Sequence, residues 1–207
     1  MENFSISNKF IFVAIIIFTL CAIVAQIIAP IEYDWQNNTI SQLAAQNYSS
    51  GWIMQLGFFG FGILFLIGIV LIIKQGSKVQ ITDILLLFYG LAILLSGIFS
   101  AKPFIEEIPY SLLESGLHYA FALSAGMFLN FTIFFHLIFS ERTKERLFHL
   151  VFLMTIFISS MIIVLIKESE LNAPLGLMQR ITYLAGLIWL FIFFLKRDKI
   201  EIDNKLK

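Results

Sequence analysis

Glu114 and His118 stand four residues apart, a spacing that puts both on one helix face, where the carboxylate could orient or ionise the imidazole. This pair is the chain's candidate for acid–base chemistry, with His118 as general base and Glu114 holding it. Along a helix His118 would lie roughly 6 Å deeper than Glu114, at 1.5 Å per residue. A self-satisfying pair at a membrane boundary is the competing reading, and the spacing alone does not separate the two.

Arg180 carries the second possibility. Its planar fork suits a phosphate or carboxylate on a lipid-like ligand. Structurally read, it pairs with a carboxylate such as Asp34, Glu114 or Glu170, or reaches along apolar surface to headgroups. Asp34, Ser41, Gln55 and Gln179, with Glu114, His118 and Arg180, complete the expected ligand-binding set. Glu32, Gln42, Glu106 and Glu107 lie in the same connections. Ser41 has no histidine at a readable spacing, so a serine-hydrolase assignment has no support.

A metal centre is not expected, because zinc needs three or four ligands around one ion. The chain has three histidines, and His118 and His136 would be about 27 Å apart on a straight helix. His149 belongs with His136, but no third strong ligand accompanies them. No cofactor is implied. A formal net charge of zero argues against a nucleic-acid surface, which needs clustered Lys and Arg.

Lipid is the main solvent that this composition suits. Hydrophobic residues make up 59% and charged residues 14%, against about 45–50% and 25% in soluble domains, and the mean hydropathy is +0.89. Six apolar runs, about 10–29, 52–73, 81–101, 112–140, 147–166 and 179–195, are each near the ~20 residues that a spanning helix requires. They are continuous rather than alternating, which excludes barrel strands. The expectation is an all-α polytopic membrane bundle of six transmembrane helices forming one domain over 1–207. The first run is longer than a signal-peptide core and is read as a retained helix.

Eleven Lys and Arg fall at the two ends and in the second and fourth connections, against Lys102, Lys167 and Arg180 in the other three. The basic side stays in the cytoplasm, so both termini are expected there, with the protein in the cytoplasmic (inner) membrane. Between the first two spans, Thr39-Ile40-Ser41-Gln42 has capping-box spacing and predicts a short extracytoplasmic helix. Trp35 and Trp52 would bracket it at the interface. Asn37 and Asn47 open glycosylation triplets. Gly57, Gly60, Gly62 and Gly68 predict a packing surface on the second helix, and Gly116, Ala120 and Ser124 a smooth packing ridge on the fourth. Asp83 suits the start of the third helix, and Cys21 is a small packing residue that cannot form an intrachain disulfide.

Tyr33-Asp34, Ile40-Ser41-Gln42-Leu43, the Gly-rich second helix, Leu117-His118-Tyr119, and Gly176 followed by Gln179-Arg180-Ile181 and Trp189 form a pattern. It resembles the six-helix prokaryotic membrane proteins grouped as domain of unknown function 998. The chain departs from that pattern at Gln42, where an acidic residue is common. The resemblance transfers no activity; it implies that Asp34, Ser41, His118 and Arg180 converge at the outer helix ends.

Three functions follow as expectations. The first is binding or transport of a lipid-like or small amphipathic molecule in an outer-facing polar pocket, with membrane lipids as partners. The others are an intramembrane enzyme acting on a lipid headgroup through His118, and an accessory subunit, for which Ser159 and Ser160 interrupting the fifth run are the only sign.

Overall fold

All four prolines, Pro30, Pro103, Pro109 and Pro174, fall between the apolar runs, so each run can close its i→i−4 ladder unbroken, as hydrocarbon demands. A computed structural model of the chain, describing residues 4–76, 78–169 and 173–205, shows six α-helices. They are α1 (Ile6–Ile27), α2 (Gly51–Gln75), α3 (Ile81–Ile98), α4 (Leu112–Phe139), α5 (Thr143–Ser169) and α6 (Leu175–Lys205), with a 3₁₀ turn, η1 (Ile40–Ala44), between α1 and α2. Every helix is long and apolar enough to cross a bilayer, which makes this a multi-pass membrane protein. Glu170, one carboxylate considered for Arg180, lies outside the described residues.

Each helix packs on the next in sequence, and α6 returns to α1. The start of α1, the end of α6 and the short connections after α2 and α4 gather at one end, here the terminal end; the α1–α2 and α3–α4 connections and the start of α6 gather at the other, the loop end. The terminal end is tied by Asn8, whose Nδ2 donates to the Phe194 carbonyl at 3.2 Å, and by Arg197, which pairs with buried Asp83 at 3.2 Å. Asp83 also accepts from the Gln80 backbone N–H at 3.1 Å, which is the helix-start role its position predicts.

The glycines of α2 act as expected. A Cβ on Gly60 would meet Ile17 of α1 at 2.7 Å, and one on Gly62 would meet Leu94 of α3 at 2.7 Å. Without those carbons α2 sits close to both neighbours, which brings Phe58, Phe61 and Phe65 into full burial beside Trp189 and Phe194. Phe61 and Phe65 stack at 5.2 Å, and Phe18 meets Phe58, Phe61 and Tyr183 edge-on.

The small ridge on α4 does not behave as predicted. Gly116 has no atom within 4 Å of where a Cβ would stand, and Gly116 and Ala120 are exposed. Instead α4 buries His118, Ala125, Leu129, Thr132 and Ile133. Spacing identifies a smooth stripe but not which stripe faces the bundle, and larger side chains on the opposite face won the interior.

Candidate functional site

The α1–α2 connection folds over the loop end because its polar groups find partners on helices far away in sequence. Thr39 and Gln42 form the predicted capping box: Gln42 N–H donates to Thr39 Oγ1 at 3.3 Å, and Thr39 N–H donates to Gln42 Oε1 at 2.9 Å. That box turns Ile40–Ala44 and aims Ser41 at α6. There Gln179 donates from Nε2 to Ser41 Oγ at 3.1 Å and accepts from Ser41 N–H at 3.3 Å. The Tyr183 hydroxyl lies 3.4 Å from the same Oγ.

Arg180, one residue on, secures the rest of the connection. Nη1 donates to the carbonyls of Asn38 and Gly176, both at 3.0 Å. Nη2 donates to Tyr33 Oη at 2.7 Å and to Gln26 Oε1 at 2.8 Å. The rings of Tyr33 and Trp35 lie 5.9 and 5.8 Å from the guanidinium carbon. Burial pushes the Tyr33 phenol up from its ordinary value, against the pull of the Arg180 contact. The hydroxyl therefore stays protonated and donates onward to the Thr39 carbonyl at 3.1 Å. Among the described residues Arg180 forms no ion pair; neutral acceptors and aromatic faces hold it in place of a carboxylate.

Asp34 is exposed and serves its own turn. It accepts from Gln36 N–H at 2.9 Å and Asn37 Nδ2 at 2.6 Å, bonds that hold its carboxyl below the usual range. Asn47, the only non-glycine residue with positive φ among those described, donates from Nδ2 to the Pro109 carbonyl at 2.8 Å. The amide nitrogens of both glycosylation triplets are thus bonded within the fold.

Glu114 and His118 share a face as predicted, but they do not bond to each other. Each caps the end of α3. His118 Nδ1 lies 2.8 Å from the carbonyl oxygens of both Ser96 and Phe99. A lone pair there would be repelled by both, so Nδ1 carries the proton and Nε2 is left as the acceptor. Glu114 Oε1 accepts from Ser100 N–H at 2.8 Å. Gln55 reaches the same strip, donating to Ser100 Oγ at 2.9 Å. Free carbonyls and amides at a helix end must find partners inside a membrane protein. The fixed backbone groups therefore outcompete the neighbouring side chain.

A cavity of about 450 Å³ is lined mainly by α4, α5 and α6, with Phe18, Phe61, Tyr89 and Ile93 contributed by the first three helices. Its loop end is polar, with Thr39, Ser41, Gln42, Lys102, Ser115, His118, Tyr119, Lys167, Gln179 and Tyr183 in the wall. Toward mid-membrane the wall becomes mostly apolar, with Leu123, Met127, Leu129, Ile156, Phe157 and Met161, and holds Asn130, Ser160 and Thr182 among them. Of the expected binding residues, Ser41, His118 and Gln179 line this cavity. Arg180 lines a separate apolar groove between α1 and α6 with Gln26. Asp34, Gln55 and Glu114 line neither and stand in the surrounding hydrogen-bond frame.

Lys102, Lys167, Tyr119 and Tyr183 line the cavity but are not among the expected site residues, because cations and phenols at helix ends look like ordinary interfacial residues. At the terminal end His136 and His149 stack at 5.6 Å, and Trp189 Nε1 donates to His149 Nδ1 at 3.1 Å. Among the described residues no group of three His, Cys, Asp or Glu side chains comes together. Ser159 lies 2.7 Å, Oγ to Oγ1, from Thr182 of α6 and so joins two helices of this chain.

Residues 12–196 match a family model described as Protein of unknown function (DUF998). No curated protein and no solved structure matches the chain.

Proposed function

From a chain that belongs to this family, we propose a protein that binds a lipid-like amphiphile, for storage or transport, in the cavity lined mainly by α4, α5 and α6. The observation that carries the reading is the cavity's polarity gradient, from Ser41, His118, Gln179 and Tyr183 at the loop end to Leu129, Ile156 and Phe157 below. Ligand sites are concave, mostly apolar, and fixed in orientation by a few polar groups. We place the loop end outside, in the cytoplasmic membrane, because the basic residues concentrate at the other end and positive residues stay in the cytoplasm.

Native mass spectrometry of the detergent-purified protein tests this. An amphiphile should stay bound to the wild type and be lost from Gly126→Leu. Gly126 lines the cavity, and a Cβ there meets only Ser160 Oγ, at 4.0 Å, so a side chain at this position starts without a backbone clash and takes up cavity space. A protein that retains no amphiphile, or a variant that retains it equally, would overturn the reading.

One observation favours a second reading, an intramembrane enzyme with His118 as general base. The two carbonyls that fix Nδ1–H orient the ring and leave the Nε2 lone pair to accept a proton. Lipid turnover that survives His118→Gln would eliminate it.

A further inference from the structure

We propose that the cavity takes an amphiphile with an anionic headgroup, a phosphate or carboxylate, held between Lys102 and Lys167. This rests on the cavity being an amphiphile site and adds the charge of what enters it. The two lysines come from separate elements, Lys102 from the α3–α4 connection and Lys167 from the last turns of α5, yet both line the same cavity. No aspartate or glutamate lines it among the described residues, and neither lysine forms an ion pair among them. Each ammonium lies over a tyrosine ring instead: Lys167 over Tyr119 at 3.9 Å and Lys102 over Tyr110 at 5.5 Å.

A ring face steadies an ammonium without consuming its N–H donors. A bound anion takes charge-assisted hydrogen bonds from both. Ser115 and Gln179 line the same end and add uncharged donors suited to the remaining oxygens. The apolar wall that follows runs from Tyr119 toward Asn130, about 16 Å at 1.5 Å per residue, and suits a single alkyl chain. The competing account is that both lysines merely extend to bulk headgroups, as such side chains do near helix ends.

The test titrates three probes into the full-length protein in uncharged detergent and reads thermal stability: dodecyl phosphate, uncharged dodecyl glucoside, and inorganic phosphate. Dodecyl phosphate should bind most tightly. Lys102→Gln and Lys167→Gln should each weaken it by about tenfold, the scale of one hydrogen bond to a charged group. Dodecyl glucoside binding should be unchanged in both variants, which also shows that they fold, and Lys167→Arg should restore most of the affinity. Equal binding of the two amphiphiles, or lysine variants that leave dodecyl phosphate untouched, would overturn the anionic headgroup and leave amphiphile binding standing. Inorganic phosphate binding as well as dodecyl phosphate would show a free-anion site and overturn the lipid source. No response to any probe would overturn the cavity as a binding site altogether.

Discussion

Gln179 meets Ser41 twice, donating to its hydroxyl at 3.1 Å and accepting from its backbone N–H at 3.3 Å, across 138 residues of chain. One amide thus fastens the η1 turn to α6 and closes the polar end of the cavity. Ser41 is 3% exposed, so its N–H is shielded from bulk water. Gln179→Leu should cost about 1–3 kcal/mol, the penalty of a buried donor left unmade. Thermal unfolding in detergent checks this; an unchanged midpoint would mean that the turn holds itself through the Thr39–Gln42 box alone.

His118 is expected to matter for stability whether or not it does chemistry. His118→Leu removes the donor shared by the Ser96 and Phe99 carbonyls and should lower stability by roughly 1–3 kcal/mol. His118→Gln keeps an N–H donor and should recover part of that loss. Equal stability of the two variants would contradict the capping role.

Arg180 and Gly176 together decide whether the α1–α2 connection stays docked. A Cβ on Gly176 would collide with the backbone oxygens of Asn38 and Trp35, and Leu177 N–H donates to the Gln36 carbonyl at 2.9 Å. Gly176→Ala should therefore lift residues 35–38 from α6 and expose them to protease. Arg180→Lys should behave like Arg180→Gln, because an ammonium cannot span Gln26, Tyr33, Asn38 and Gly176 at once. Limited proteolysis of the connection reads both outcomes.

Asp34 gives the connection an acid limit. Its carboxyl is held below the ordinary value of 3.8, first by Gln36 N–H and then by the Asn37 amide. A depressed carboxyl contributes stability above its unfolded-state value, and that contribution fades as pH falls through the folded one. Protease protection of residues 34–38 should therefore hold at neutral pH and weaken below about pH 4, the usual carboxyl range. Asp34→Asn should remove most of this pH dependence, and protection that is flat with pH in the wild type would contradict it.

The six spans were legible in the chain because hydrocarbon leaves the backbone only one way to satisfy itself over such long apolar runs. The expected run 52–73 became Gly51–Gln75, and 112–140 became Leu112–Phe139. The η1 turn was legible for a similar reason, since Thr39 and Gln42 carry their own local partners. Family membership was also written in short motifs such as Leu117-His118-Tyr119 and Gln179-Arg180.

Tertiary structure alone decided what those side chains do. Local spacing joined Glu114 to His118, but the end of α3 offered both residues fixed backbone partners, and those prevailed. Charge suggested a carboxylate for Arg180, yet carbonyls and aromatic rings surround it. Lys102 and Lys167, 65 positions apart, share a cavity only because α4 and α5 run back along each other. Helices in a membrane are specified by nearby residues. Which of their faces meet, and so which polar groups share a site, depends on packing between segments that no local pattern encodes.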